Sequence, residues 1–447
     1  MSRLILSDLA AHARVWLGVL AVTVVAGFVG AIAAALLETG FHHGGRVLDG
    51  LSSTSAAVIM FTSITALIVL SSTAALTVAL QKRGYALWQI VGIRPSLVSM
   101  VVLGQLAIVG ALGAVIGSLI AIPVFRPLFI WVFRDWPNMQ GISLHLGAVS
   151  VLIVIAAIMA VVMLGGLRGA RNASRVLPIE ALRDPEPPRV KMGWFRILLT
   201  LLIVAGAIAL AWALDGGASL SGFSGQAILI TPLIAAAMVM AGPVLFPVVL
   251  RVWTALLPAH VSASWFLARN SSRYRLSQST AAISPLLVAI ALAGGLYTMA
   301  ATMDQALANR SGSTTSTGLA PEGVVILLGG PLLLSAVAAA ATVFMSGSAR
   351  ERELALIQAA GSTHSAVVLT AIWEAVIYTV TAAILGATAT VIGGVIIAGK
   401  LGLTFPVISF STLTFIAAGG LILILAATVA PTATALRHEI PRTLAAE

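Results

Sequence analysis

The residues that could do chemistry are few, because only 9% of the 447 residues are Asp, Glu, Lys or Arg. Four charged residues stand in a row at Arg350, Glu351, Arg352 and Glu353. Alternating cations and anions on a short helix can form ion pairs with a soluble partner protein. Leucine and isoleucine follow, and Gly361 ends the segment. Residues 350–361 are therefore typical of an amphipathic helix at a membrane surface.

A similar segment lies at residues 81–92, where QKRGYALWQIVG parallels RERELALIQAAG of residues 350–361. A shift of 269 residues aligns the two segments, and each ends in a glycine that permits a left-handed turn into the next helix. We interpret both as helices that contact a separate motor protein, although a charged cap at the membrane interface is the alternative. The expected contact residues are Lys82, Arg83, Gln89 and Gly92 in the first segment and Arg350, Glu351, Arg352, Glu353, Gln358 and Gly361 in the second.

Glu374 lies well inside an apolar stretch, and the same shift places Gln105 at the corresponding position. An acid inside a membrane span costs roughly 2.5–3.5 kcal/mol, so it usually has a partner or a function. Three roles remain open for this pair: a structural role near the interface, energy coupling or substrate contact, and proton relay.

Several kinds of catalytic site are missing from the sequence. No G-x-x-x-x-G-K-[ST] motif is present, so the chain is not expected to hydrolyse ATP itself. No HExxH motif, paired carboxylates or Ser/His/Asp set lies on a segment large enough to build an active site. There is no cysteine, and the adjacent His42 and His43 diverge, which favours a solvated loop over a metal site. We therefore predict a non-catalytic chain without catalytic residues, metal or cofactor.

Composition predicts an all-α integral membrane protein, since 59% of the residues are hydrophobic and the mean hydropathy is +1.06. About 20 apolar residues span a bilayer. Ten stretches qualify, at residues 15–37, 56–80, 97–122, 146–167, 195–214, 227–250, 280–303, 323–347, 366–398 and 411–436. The net charge of +10 does not indicate nucleic acid, because Lys and Arg mark cytoplasmic loops.

The positions of Lys and Arg predict an orientation. If the chain starts in the cytoplasm, 20 of the 25 Lys and Arg residues fall on the cytoplasmic side. The remaining five lie in outer loops, at Arg46, Arg126, Arg134, Arg310 and Lys400. This asymmetry favours both termini in the cytoplasm.

The repeat predicts the domain organisation. Spans 1–4 form one copy, spans 7–10 form a second copy, and spans 5 and 6 are an inserted pair. The predicted domains are residues 1–190, 191–261 and 262–447. An even number of intervening spans keeps the two copies parallel, related by a pseudo-two-fold axis along the membrane normal.

The chain resembles the FtsX-like permease domain of ABC transporters. The resemblance rests on Arg-Glu-x-Ala-Leu at residues 352–356 followed by Gly361, and on Pro-x-Glu-Ala-Leu-Arg at residues 178–183. It implies duplicated four-helix FtsX domains in a 4+2+4 arrangement, similar to the bacitracin- and macrolide-exporter permeases of the type VII family. The predicted outer loops, 38–55 and 304–322, are only about twenty residues long and leave no room for a large extracytoplasmic domain.

The resemblance also implies a function. It indicates the membrane subunit of an ATP-driven transporter in a bacterial plasma membrane, with ATP bound by separate ABC ATPase subunits, two per chain. Its cargo would be an amphiphile such as an antimicrobial peptide, a lipid or a drug, taken from the membrane lipid and exported, as in antimicrobial resistance. Two alternatives remain open. One is FtsX-type mechanotransmission to a cell-envelope partner without transport, and the other is an ion-coupled secondary transporter that uses Glu374.

Overall fold

A computed structural model describes residues 7–9, 12–136, 139–174, 192–214, 220–258, 262–311, 321–345 and 361–435. No β-strand occurs in these ranges, so the predicted all-α class is confirmed for them. The helices are α1 (Ala13–His43), α2 (Gly45–Leu80), α3 (Lys82–Ile90), α4 (Pro95–Val132), α5 (Ala148–Ser174), α6 (Trp194–Ala213), α7 (Leu220–Ala227), α8 (Ile230–Met240), α9 (Gly242–Ala255), α10 (Ala263–Tyr274), α11 (Leu276–Ser311), α12 (Pro321–Met345), α13 (His364–Lys400) and α14 (Phe410–Ala435).

Ten stretches of the described helices are long and apolar enough to cross a membrane. They are Val15–His43, Gly45–Leu80, Pro95–Val132, Ala148–Arg171, Arg196–Ala213, Phe223–Met240, Gln278–Asn309, Glu322–Met345, His364–Lys400 and Phe410–Val429. They follow the ten predicted spans in order, which makes the chain a multi-pass membrane protein. The 4+2+4 grouping of these spans stays a prediction.

The first predicted outer loop, residues 38–55, is helical on both sides of a single residue. Helix α1 continues to His43 and α2 begins at Gly45, so Gly44 alone separates the two helices. Gly44 has a φ of 64°, a left-handed conformation that glycine adopts without strain. Its amide donates to the carbonyl of Gly40 at 3.0 Å, so the turn leaves this donor satisfied.

The sixth membrane-length stretch, Phe223–Met240, begins and ends earlier than the predicted span, residues 227–250. The membrane-length stretch ends at Met240, and α9 starts at Gly242 after a break at Ala241. Pro243 cannot donate to the carbonyl four residues earlier, which is that of Val239. The guanidinium of Arg196 donates instead, to the carbonyls of Val239 at 3.1 Å and Met240 at 2.8 Å.

The first of two compact units comprises Met1–Glu186 and Ala320–Ser346. Helices α1, α4 and α5 pack against one another, and α2 packs against α1 and α5. Helix α12 follows α11 in the chain but packs against α1 and α2 within this unit. The boundaries of this unit differ from the predicted domain boundaries at residues 190 and 261. The predicted boundaries follow the internal repeat and stay a prediction.

The second unit comprises Pro187–Leu319 and Gly347–Glu447. Helix α11 packs against α13, α14 and α8, and α10 packs against α13. Helix α6 packs on α8 and leaves Trp194, Leu202 and Trp212 exposed. Such an apolar surface is expected to be covered by lipid or protein.

Glycines lie at close helix contacts in each unit. A Cβ built at Gly117 of α4 would lie 2.5 Å from the amide nitrogen of Phe28 in α1. A Cβ at Gly386 of α13 would lie 2.7 Å from Cγ2 of Ile290 in α11. Because neither position has space for a methyl group, both helix pairs depend on glycine for their close approach.

We predict that Gly117→Ala destabilises the protein by about 1–3 kcal/mol, since the added methyl group forces α1 and α4 apart. Thermal unfolding of the purified protein in detergent measures this loss. Gly206→Ala in α6 is the matched control, because a Cβ there meets nothing within 4 Å. Equal melting temperatures for the two variants would contradict the packing constraint.

Candidate functional site

The first charged segment forms the short helix α3, which begins at Lys82 and Arg83. Helix α3 contacts α2, α4 and α5. Tyr85 and Ala86 are buried, whereas Leu87, Ile90 and Val91 are exposed, Val91 by 84%. One side of α3 is therefore fixed to the span helices, and the other side presents apolar side chains outward.

Helix α3 ends in a Schellman motif centred on Gly92. Gly92 has a φ of 97°, and its amide donates to the carbonyl of Gln89 at 3.0 Å. The amide of Ile93 donates to the carbonyl of Trp88 at 3.0 Å. These two bonds satisfy the last carbonyls of the helix, so α3 passes into α4 at Pro95 through a defined turn.

Most of the second charged segment lies outside the described residues. Arg350, Glu351, Arg352, Glu353 and Gln358 belong to that part, as do residues 178–183.

Gly361 is described, and its φ of 94° matches that of Gly92. Helix α13 starts three residues after Gly361, just as α4 starts three residues after Gly92. The hydroxyl of Thr363 caps α13 by accepting from the amide of Ala366 at 3.3 Å. The structure therefore shows a left-handed glycine three residues before the start of each long helix.

Gln105 is completely buried in α4, and Asp8 lies against it. The Nε2 of Gln105 donates to Oδ2 of Asp8 at 2.8 Å. Oε1 of Gln105 has no hydrogen-bond partner among the described residues. Asp8 also faces Nδ1 of His12 at 3.2 Å. Sequence reasoning missed Asp8, because no spacing relates residues 97 positions apart.

Tyr85 belongs to the same polar cluster. Its hydroxyl donates to Oε1 of Gln81, and its ring packs edge-on against Trp88 with the centroids 5.5 Å apart. Burial raises the pKa of Tyr85 above its ordinary value, and the negative charge of Asp8 raises this pKa further. The cluster thus joins α3, α4 and the segment around Asp8.

Glu374 is buried in α13, as its sequence position predicted. Helix α10 covers this part of α13: the hydroxyl of Ser264 donates to the carbonyl of Ala366 at 3.1 Å, and the rings of Trp265 and Trp373 lie 5.2 Å apart. Gln105 and Glu374 therefore occupy comparable buried positions, each in the helix that follows a glycine turn. They lie in different units, and each has its own surroundings.

Three arginines form a second feature that the sequence did not single out. Arg273 donates to Thr254 Oγ1 at 2.7 Å and to the carbonyl of Arg251 at 3.2 Å, joining α10 to α9. Burial and the positive charges of Arg269 and Arg251 lower the pKa of Arg273. None of the three pairs with an acid in the described ranges, so positive charge is concentrated at this junction.

Part of the chain matches a known protein family. Residues 325–440 match the FtsX-like permease C-terminal family, over about a quarter of the chain. The match begins within α12 and covers Gly361, α13 and α14. No curated protein matches the chain. The family match supports an ABC-transporter membrane subunit, a generally non-catalytic role that implies association with an ABC ATPase.

We predict that Tyr85→Phe lowers the free energy of unfolding by about 0.5–1.5 kcal/mol at pH 8, through loss of the bond to Gln81. The difference in unfolding free energy between this variant and wild type should become smaller above pH 10, which is the ordinary pKa of tyrosine. Burial keeps folded Tyr85 protonated, so only the unfolded wild-type chain releases its proton there, and wild-type stability falls as the pH rises. Chemical denaturation from pH 8 to about pH 11 measures this.

The control for Tyr85→Phe is Tyr274→Phe, which alters an exposed tyrosine and should keep the wild-type pH dependence. If the difference in unfolding free energy between Tyr85→Phe and wild type stays constant with pH, the buried environment of Tyr85 is contradicted.

Proposed function

We propose that this chain is the membrane subunit of an ABC exporter and couples separate ATPase subunits to export or membrane extraction of an amphiphile. One observation carries the proposal: the family match includes Gly361, and Gly92 has the same left-handed φ three residues before its own long span helix. A motor that moves either charged segment would act directly on a helix that crosses the membrane.

The geometry of α3 supports a docking role. Tyr85 and Ala86 anchor this helix to the spans, while Leu87, Ile90 and Val91 are exposed beside the charged start at Lys82 and Arg83. Exposed apolar side chains flanked by charges suit a protein interface, where the centre is apolar and the rim polar. Two such helices would accommodate two ATPase subunits per chain.

The 269-residue repeat supports a duplicated permease of the bacitracin- and macrolide-exporter type. Helices α4 and α13 start 269 residues apart, at Pro95 and His364. Gly117 and Gly386, also 269 residues apart, each make a close contact with the first long helix of their own copy, α1 and α11. These correspondences favour two copies of one four-span domain around an inserted pair, as in type VII transporters.

We place the protein in a bacterial plasma membrane with both termini in the cytoplasm, on the strength of its Lys and Arg distribution. ATP would be bound by the partner, because the sequence has no phosphate-binding loop. The chain itself needs no cofactor or metal in this scheme.

Buried Glu374 favours one second candidate, an ion-coupled transporter. Reconstitution into proteoliposomes separates the two functions. Amphiphile export that requires the ATPase and ATP supports the proposal, whereas export that requires only a pH gradient supports the ion-coupled alternative. ATPase association without any transport would instead favour mechanotransmission of the FtsX type.

We predict that Glu353→Lys weakens association with the coexpressed ATPase by about tenfold, which corresponds to about 1.4 kcal/mol. Gly84→Lys is the matched control, because position 84 corresponds to position 353 and has open space around its Cβ. This control should change the affinity by less than about twofold. Co-purification and stimulated ATPase activity are the measurements, and equal effects of the two variants would contradict a specific role of Glu353 in docking.

Orientation can be tested with single thiols, because the chain contains no cysteine. A membrane-impermeant maleimide should label Arg46→Cys in intact cells, because position 46 is exposed at the predicted outer side. The same reagent should label Val91→Cys only after permeabilisation, because Val91 lies on the predicted cytoplasmic side. The opposite labelling pattern would reverse the proposed topology.

A further inference from the structure

A cleft of about 880 Å³ opens beside the second half of α4, within the first unit. Arg126, one of its lining residues, lies 31 residues after Pro95, or about 47 Å along a helix. This distance exceeds the hydrocarbon thickness of a bilayer, about 30 Å. The cleft therefore lies across the membrane from the Gly92 turn, and α4 connects the two.

One wall of the cleft is a helical face. Side chains at every fourth position line it, namely Ile122, Arg126 and Ile130 of α4 and Arg134 just beyond the end of this helix. A second row lies behind them and belongs to the core of the unit, namely Phe125, Phe129 and Phe133. Exposed Ile122 and Ile130 beside these aromatic rings make the wall apolar along most of its length.

The two arginines of this wall differ in their pairing. Arg134 donates to Glu322 at 2.8 Å and lies 3.4 Å from Asp135. Arg126 forms no ion pair with any residue of the described ranges. The cleft wall thus carries one uncompensated cation, flanked by isoleucines one helical turn away on each side.

The opposite wall is the loop of residues 139–146. Leu144 and Leu146 line the cleft and pack against the same core, which extends the apolar surface. Ser143 and His145 add polar groups, and Nδ1 of His145 is buried without a partner among the described residues. The cleft therefore combines apolar side chains with several polar groups, as small-molecule sites do.

We propose that this cleft binds an amphiphile with a single acidic headgroup. Arg126 pairs with the headgroup, and the tail lies along Ile130 and the phenylalanine row. Arg126 selects an acid because a cationic headgroup would face an unpaired guanidinium. The occupant comes from the adjacent lipid leaflet, since a free anion would leave the apolar lining uncovered. The inference rests on the proposed function in one respect only, namely that this ligand is the amphiphile that the protein exports.

Equilibrium binding of radiolabelled dodecyl phosphate to the purified chain, without ATPase, tests the site. The chain is held in nanodiscs of neutral phosphatidylcholine, and binding to empty nanodiscs is subtracted. We expect saturable binding that Arg126→Gln weakens at least tenfold and that Ile130→Asn also weakens. Arg126 and Ile130 are both exposed, so these variants leave the core unchanged. Arg46→Gln, which alters an exposed arginine outside the cleft, is the matched control and should bind as wild type does.

Two competitors identify the ligand class. Unlabelled dodecyltrimethylammonium, which has the same tail and the opposite charge, should not displace the probe. Inorganic phosphate should not displace it either, because it lacks a tail. Displacement by phosphate alone would overturn the amphiphile assignment, and displacement by the cation would overturn the role of Arg126. Absence of saturable binding would overturn the site itself, while ATPase association, measured separately, would still decide the proposed function.

Discussion

The constraint on which this structure depends is the need to satisfy every backbone hydrogen bond inside a bilayer. Helices meet that need within one segment, and the ten membrane-length apolar stretches of the described chain are all helical. Three breaks near these stretches have hydrogen-bond partners. Gly44 donates back to Gly40, the Gly92 turn uses two amides to close α3, and Arg196 donates to the carbonyls at the break before Pro243.

The same constraint explains how a signal could cross the membrane. Helix α4 runs without interruption from the turn at Gly92 to the cleft beside Arg126, although Pro123 and Pro127 each remove one helical bond. Its contact with α1 is fixed at Gly117, where no methyl group fits. A displacement of α3 is therefore transmitted by a helix whose lateral position is tightly defined. The proposed docking side of α3 and the proposed ligand side of α4 would then belong to one mechanical element.

Buried polar groups mark the places where this architecture is most specific. Gln105 and Glu374 were found from the sequence because each interrupts an apolar run. Asp8 was not, because an acid near the start of a chain carries no periodic signal. Its bond to Gln105 and its effect on the pKa of Tyr85 exist only once α4 and α3 have packed beside it. The cleft was likewise missed, since the spacing of Arg126 and the phenylalanines resembles an ordinary aromatic belt.

The sequence predicted the ten spans in order and the left-handed glycines that precede α4 and α13. Each prediction follows from a local property: hydropathy over about 20 residues, or the unique freedom of glycine. Three features emerge only from the packing: α12 lies against α1 and α2, residues 38–55 are helical on either side of Gly44, and Asp8 meets Gln105. Lipid tails are as apolar as leucine, so hydropathy cannot choose a helix's neighbours, and side-chain shape and polar pairing make that choice.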